Sequence, residues 1–448
     1  MLVQKTEQKW DTRPLESWQK AKELRAKFYR DEADAHEQKV FLVEGSDATT
    51  LAGIGNCHVV SSQPLGASIA VEGNEFSRKC RAATEAAGYG RDLCGYMLNT
   101  CGAMLSNRGL MGEEYHERDF VIEHSNGCDM RFKYPQVVSE YYGIPHFFPD
   151  WVAYYGEQND ERDEARVEYL VKQSLEMIDW LEEVTGKKFD DEQFIKTAKS
   201  SFRIEALKGD TYLYQQNIPA PLDQKSIYSF YILGRLVRTE QEQTEKLWEM
   251  LRDEVKWRAE NNIAAVATER YRWVEEEPPP WFFLRYYRYM EEFGAVCIGS
   301  PYTHGPYVLA KNEEGKIERI KTPLELGMPL DTREDVVRAQ ILIPGIFGGG
   351  SGSLPQGHGP VHEQYTDALL YMIELYHCNG AILPLHRSGI GCVFGERENA
   401  VEMDKLGIPL MHYETSHPGN MTDFDENRLL DQLDIFMETQ GLRKLETE

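Results

Sequence analysis

Apolar positions along this chain follow two patterns, and the change between them marks its organisation. Short apolar runs punctuated by glycine alternate with amphipathic stretches at both ends, whereas residues 159–267 carry long helical periods such as Leu170, Val171, Leu175, Ile178 and Leu181. Near the N-terminus, Pro14 to about His36 sets Trp18, Ala21, Leu24, Arg25 and Phe28 on one face, which predicts a helical packing arm. Ala67–Val71 reads as a strand and Asn74–Ala87 as a helix. A further helix is expected around Arg91–Met97, with Asp92 as its cap and Cys94 and Cys101 on a shared face. In the middle, helices are expected over 190–207, 224–237 and 239–261, interrupted at Asn217–Pro221.

Three prolines, Pro278 to Pro280, then stop any helix, because they lock φ and remove backbone donors. Beyond them we expect an aromatic helix over Trp281–Phe293, a strand over Gly294–Ile298, a charged loop tip at Asn312–Lys316 and a helix from Thr332. Helices over His362–Tyr376 and Glu426–Thr439 complete the pattern, the last ending at Gly441 as its C′ residue. Strands alternating with helices imply parallel sheets, whose sites form at the carboxyl ends of strands. The predicted fold class is therefore α/β, with two parallel-sheet α/β lobes, 1–156 (carrying the helical arm) and 276–448, around a helical segment, 157–275.

One unit is written twice. Phe120-Val-Ile-Glu-His-Ser-Asn-Gly127-Cys128 leads through a mixed run to Gly143-Ile-Pro, and Ala381-Ile-Leu-Pro-Leu-His-Arg-Ser-Gly-Ile-Gly391-Cys392 leads through a helical run to Gly407-Ile-Pro. In both copies the Gly-Ile-Pro glycine stands fifteen residues after the cysteine. This is a βαβ half-unit repeated with its cysteine in register. A thiol between the carboxyl end of a strand and the amino end of a helix meets partial positive charge, which favours thiolate.

Charge and composition narrow the partners. Lysine and arginine number 49 against 74 acids, a net charge of −25, which argues against a nucleic acid partner. No apolar run is long enough to cross a bilayer, and Met1–Arg13 lacks a signal peptide's apolar core, so a cytoplasmic protein without membrane association is expected. Eight cysteines suit a reducing compartment, and with no Cys-x-x-Cys any metal site must be assembled from distant cysteines.

Three such cysteines, Cys94, Cys128 and Cys392, could bind one [4Fe-4S] cluster and leave its fourth iron open. A lone cysteine is more often a small buried hydrophobe, and packing stays open as the other role for each. Cys57, Cys80, Cys297 and Cys378 read as core, and Cys101 as a weaker candidate. His124 and His386, just ahead of the two Gly-Cys turns, could exchange protons with a substrate or serve as structural hydrogen bonders, as could Arg387. The run Gly345–Ser353 could cradle phosphate, but without the Gly-Lys-Ser/Thr ending of a P-loop it reads as a flexible loop. His358 and His362 are separated by Gly359 and Pro360, which disfavours a helical zinc pair.

The ordered motifs Asp92-Leu-Cys94-x-Tyr96, Ser125-Asn-Gly-Cys128, Tyr271-Arg-Trp-Val, Asn379-Gly-Ala-Ile-Leu, His386-Arg-Ser388 and Gly407-Ile-Pro resemble the 2-hydroxyacyl-CoA dehydratase and benzoyl-CoA reductase family over most of the chain. The N-terminal portion looks most like the larger cluster-binding subunit of ATP-dependent benzoyl-CoA reductase. The resemblance implies an oxidoreductase subunit with an iron–sulfur cluster, [4Fe-4S] or double-cubane, that dearomatises an aromatic acyl-CoA. It also implies a smaller homologous cluster-binding subunit and ATP-hydrolysing activator subunits with their own cluster; ATP would bind only there. Radical dehydration of a 2-hydroxyacyl-CoA, or reduction of small molecules at a double cubane, are the alternatives. Cys94 and Cys128 match the family's first two ligands. The family's usual third cysteine position is Gly389 here, and the internal repeat transfers that role to Cys392.

Overall fold

The computed structural model describes residues 8–45, 47–72, 74–124, 129–150, 160–236, 241–276, 278–304, 309–312, 314–342, 361–387, 396–415 and 424–446. Ten strands fall within them: β1 Phe41–Gly45, β2 Cys57–Val60, β3 Phe120–Ile122, β4 His146–Phe147, β5 Tyr271–Glu275, β6 Ala295–Gly299, β7 Leu309–Lys311, β8 Ile317–Arg319, β9 Gly380–His386 and β10 Leu410–Thr415. One four-stranded sheet has the order β2-β1-β3-β4 and the other β10-β9-β5-β6. All their ladders are parallel, as the alternation of strands and helices predicts, while β7 and β8 pair as an antiparallel hairpin.

The two sheets share one topology, with β1, β2, β3 and β4 corresponding to β5, β6, β9 and β10. In each, the chain first moves to one side of the central strand and later returns on the other. That reversal places a topological switch point between β1 and β3, and another between β5 and β9, where a crevice opens beyond the carboxyl ends.

The repeated unit seen in the sequence holds in space. β3 is followed by the helix Asp129–Tyr142 and the adjacent parallel β4; β9 is followed by Glu396–Lys405 and the adjacent parallel β10. Gly143 and Gly407 have φ of 66° and 70°, the left-handed turn past each helix end that a side chain would oppose.

Between the sheets run the expected helices, Asp160–Thr185, Asp191–Leu213, Gln224–Leu236 and Gln241–Glu260. The arm helix Ser17–Asp34 buries Ala21, Leu24 and Phe28 against Ile227, Leu247 and Trp248. No residue of its own caps it; Glu254 from the neighbouring helix accepts the Glu16 and Ser17 amides at 2.6 and 3.0 Å. The C-terminal helix Glu426–Thr439 ends as expected, with Gly441 at φ 74°. A single apolar core joins the lobes, combining Ile69, Tyr96 and Val121 with Trp273, Trp281, Ile382 and Leu433.

Two local expectations are corrected. Ala67–Val71 belongs to the helix Ser62–Glu72, in which every residue from Ser62 to Ala70 is buried. A helix apolar all round carries no periodicity to separate it from a buried strand. The aromatic run after the prolines is a short 3-10 turn, Trp281–Phe283, and a separate helix, Tyr286–Glu291. The division falls at Leu284 and Arg285, whose backbone stays right-handed helical, so the run opens as a tighter 3-10 turn before the α-helix begins.

Candidate functional site

Each switch point carries a buried histidine beside a carboxyl group. At the first, Asp47 follows β1 and caps the helix Ala48–Ile54, accepting the Thr50 amide at 3.1 Å. Its Oδ2 lies 3.6 Å from Nε2 of His124, which follows β3. Burial by itself would raise the Asp47 carboxyl, but His124 and the Thr50 hydrogen bonds outweigh it and hold the group below its ordinary value. Three residues earlier, in β1, Glu44 is pushed up to about 8 by burial, despite Arg118 at 3.4 Å.

At the second switch point His386 ends β9 and Glu396 opens the following helix. His386 Nδ1 meets Glu396 Oε1, and the His386 amide donates to Glu396 Oε2 at 2.9 Å. Burial pushes the imidazole down to about 3, against a hydrogen bond with the Pro278 backbone. Burial also pushes Glu396 up to about 8, against the His386 amide and the Arg397 charge. The pair shares one proton. We place it on the carboxyl, because separating charge between side chains only 1% and 4% exposed costs more than a neutral hydrogen bond.

His124 and His386 are thus equivalent by topology as well as by their place ahead of the Gly-Cys turns. Asp47 and Glu396, their partners, were not singled out from the sequence. Asp47 caps the helix after β1 and Glu396 lies in the first turn of the helix after β9, so the two acids come from different places in the two lobes. Arg387 points elsewhere, pairing with Glu414 at 2.5 Å on the exposed rim.

Cys94 is itself the N-cap residue of the helix Gly95–Leu105, with φ −53° and ψ 129°, so Asp92 does not occupy that position. It is 8% exposed and sits where the helix begins. Two residues on, Tyr96 Oη accepts from Trp281 Nε1 at 2.6 Å, which ties this helix start to the chain emerging from β5. The remaining described cysteines are different. Burial pushes Cys57, Cys80, Cys101 and Cys378 up to about 12 and Cys297 well above its ordinary value. Such thiols stay neutral and serve as packing groups.

Cys128 and Cys392 lie outside the described residues, as do 345–353 and His358, and of His362 only the backbone is described. Their segments leave the described chain after His124 and Arg387 and rejoin it at Asp129 and Glu396. Those points lie beyond the carboxyl ends of β3 and β9. Among the described residues no group of three or more His, Cys, Asp or Glu side chains forms a metal site. Of the three candidate cluster thiols, the described residues place Cys94 alone, at a helix start tied to the second lobe.

The fold and site define a class of paired, parallel-sheet lobes, each with a buried histidine–carboxyl pair at its switch point. The profile of the family "2-hydroxyglutaryl-CoA dehydratase, D-component" matches residues 65–326, and the chain belongs to that family. It is 27% identical over 229 residues to the (R)-2-hydroxyisocaproyl-CoA dehydratase alpha subunit of Clostridioides difficile, covering 49% of this chain and 53% of that one. Against the (R)-phenyllactyl-CoA dehydratase alpha subunit of Clostridium sporogenes it is 25% identical over 273 residues, 59% of this chain and 63% of the relative. The alpha subunit of (R)-2-hydroxyglutaryl-CoA dehydratase from Acidaminococcus fermentans is 28% identical over 164 residues, 36% and 34% of the two chains. The chain therefore matches less than two thirds of the length of each of these relatives. No described helix is long and apolar enough to cross a membrane.

Proposed function

We propose that this chain is the cluster-bearing subunit of a 2-hydroxyacyl-CoA dehydratase, working with a second homologous subunit and an ATP-hydrolysing activator. The observation that carries the reading is that the family match and three named relatives are all dehydratase components. It favours dehydration over the ring reduction that the sequence motifs placed first.

Cys94, Cys128 and Cys392 would hold an iron–sulfur cluster, which when bound supplies a low-potential electron to the substrate's thioester. The chain's own side chains have the proton work. Loss of water takes a proton from C3 and hydroxide from C2, and neither ion leaves readily unaided. The neutral His386–Glu396 pair can give up or accept a proton without a buried charge being formed beforehand. His124 and the ionised Asp47 offer the opposite polarity at the matching place in the other lobe. Burial of both pairs keeps bulk water away from a reactive radical, which would otherwise be quenched.

The test is to purify the complex anaerobically with its partner subunit and supply activator, ATP, reductant and either a 2-hydroxyacyl-CoA or benzoyl-CoA. Dehydration is expected to give many enoyl-CoA products per reductant consumed. Product formed only from benzoyl-CoA, with reductant used in fixed proportion, overturns the reading.

A further inference from the structure

We infer that Glu276 is a further acid of the second switch point, a neutral carboxylic acid whose Oε2 hydroxyl gives its proton to the hydroxyl group leaving C2 of the substrate. This rests on the dehydratase reading above.

Glu276 follows β5 directly and is 2% exposed. It lies one strand position pair beyond Val274, on the face packed against the helices Val361–Leu375 and Glu396–Lys405. Asn399 Nδ2 donates to its Oε1. In this arrangement the Thr366 hydroxyl donates to Asn399 Oδ1 at 2.5 Å and the NH2 group faces Glu276. Oε1 is therefore the accepting oxygen. Oε2 is buried and makes no hydrogen bond with the protein.

Among the described residues no ion pair to Glu276 neutralises a carboxylate there. Burial is the main influence on Glu276; the acidic side chains of Glu396 and Glu398 act in the same direction and the Asn399 hydrogen bond against them, so its carboxyl is raised well above its ordinary value. A proton must then sit on one oxygen, and with Oε1 already accepting from Asn399 it belongs on Oε2. A buried O–H with no acceptor is costly, so such groups in folded proteins normally meet a partner. Here the position is the crevice end of the central strand, where α/β sheets place their ligands. A departing hydroxyl supplies the missing acceptor.

Glu276 gives H⁺ to the C2 hydroxyl, whose C–O bond breaks as water leaves. The resulting carboxylate takes up the proton lost from the adjacent C3, and the C2–C3 double bond forms. Glu276 ends as it began, no net electrons are consumed, and the substrate has lost one water. Asn399 holds the carboxylate through the interval by its hydrogen bond to Oε1.

The experiment compares the wild-type complex with Glu276→Gln and Glu276→Asp, measuring dehydration rate, acyl-CoA binding and the infrared C=O band of a protonated carboxyl. Gln has the shape of the neutral acid and should fold and bind thioester. Its turnover should fall about 100-fold or more, in line with the loss of a positioned proton donor, and the protonated-carboxyl band should lose intensity. Asp should recover part of the rate. Wild-type turnover in Glu276→Gln overturns the role, leaving an acid satisfied by ordered water. A protonated-carboxyl band of equal intensity in the wild type and in Glu276→Gln also overturns it, because that proton then sits on another carboxyl such as Glu396. A wild-type complex inert on every 2-hydroxyacyl-CoA sinks the dehydratase reading itself, a different outcome from an active wild type matched by its Gln variant.

Discussion

A carboxyl buried beside a histidine ties stability to pH in a direction that can be worked out. Glu396, at about 8, lies above its ordinary 4.5, so between those values the folded chain holds a proton that the unfolded chain has released. Its stabilising contribution is complete below 4.5 and is lost as pH rises through 8. His386, at about 3 and below its ordinary 6.5, acts oppositely: its contribution is present above 6.5 and is lost as pH falls towards 3. The two effects offset each other up to about pH 6.5, so urea midpoints of the wild type should fall between about pH 6.5 and about pH 8, and Glu396→Gln should reduce that fall. An unchanged pH dependence would place the proton elsewhere. Cys94 offers a second test. Serine is a favoured N-cap residue, so Cys94→Ser should keep the helix Gly95–Leu105 and the fold while losing most of the iron from anaerobically purified complex. Retained iron would leave Cys94 a packing group. The histidines were legible because each stands ahead of a Gly-Cys turn. Their acid partners come from other elements, across gaps that no local spacing encodes.

Among the elements, the helix that begins at Cys94 is held by close backbone contact. A Cβ added at Gly102 would lie 2.0 Å from the Cys80 carbonyl oxygen and 2.3 Å from Cys80 Cα, both main-chain atoms of the helix Asn74–Ala86. Main chain cannot swing aside as a side chain can, so the two helices must part. Gly102→Ala should cost about 1–3 kcal/mol or more by chemical denaturation, and a stability equal to wild type would mean the helices are not packed at this distance. Amphipathic helices and the paired Gly-Ile-Pro ends were read from the sequence because a helix with one buried face, or a turn needing φ > 0, leaves a local mark. The helix Ser62–Glu72 was read as a strand because burial on every side erases that mark.

At the scale of the molecule, the lobes are joined by their shared core and by the buried hydrogen bond from Trp281 to Tyr96. Neither sheet can lose its packing alone without exposing apolar surface of the other. Calorimetry should therefore show one main transition for both lobes, and Trp281→Phe should lower its midpoint without splitting it, since a buried phenol loses its donor at about 1–3 kcal/mol. Two well-separated transitions in the wild type would show that the lobes fold independently. The acidic net charge belongs to this scale too, and it bears on partners while saying nothing about the fold.

By itself the sequence determined the α/β class, the parallel sheets, the duplicated βαβ unit and the family resemblance, because periodicity, glycine turns and motif order are properties of neighbouring residues. The tertiary structure decided what those units are for. Folding brought the two sheets to the same strand order, set Asp47 beside His124 and Glu396 beside His386, made Cys94 the helix cap, and left one oxygen of Glu276 buried without a partner. Each of these depends on strands far apart in the chain lying side by side, and burial, which shifts the proton affinities of the acids and imidazoles, exists only once they do.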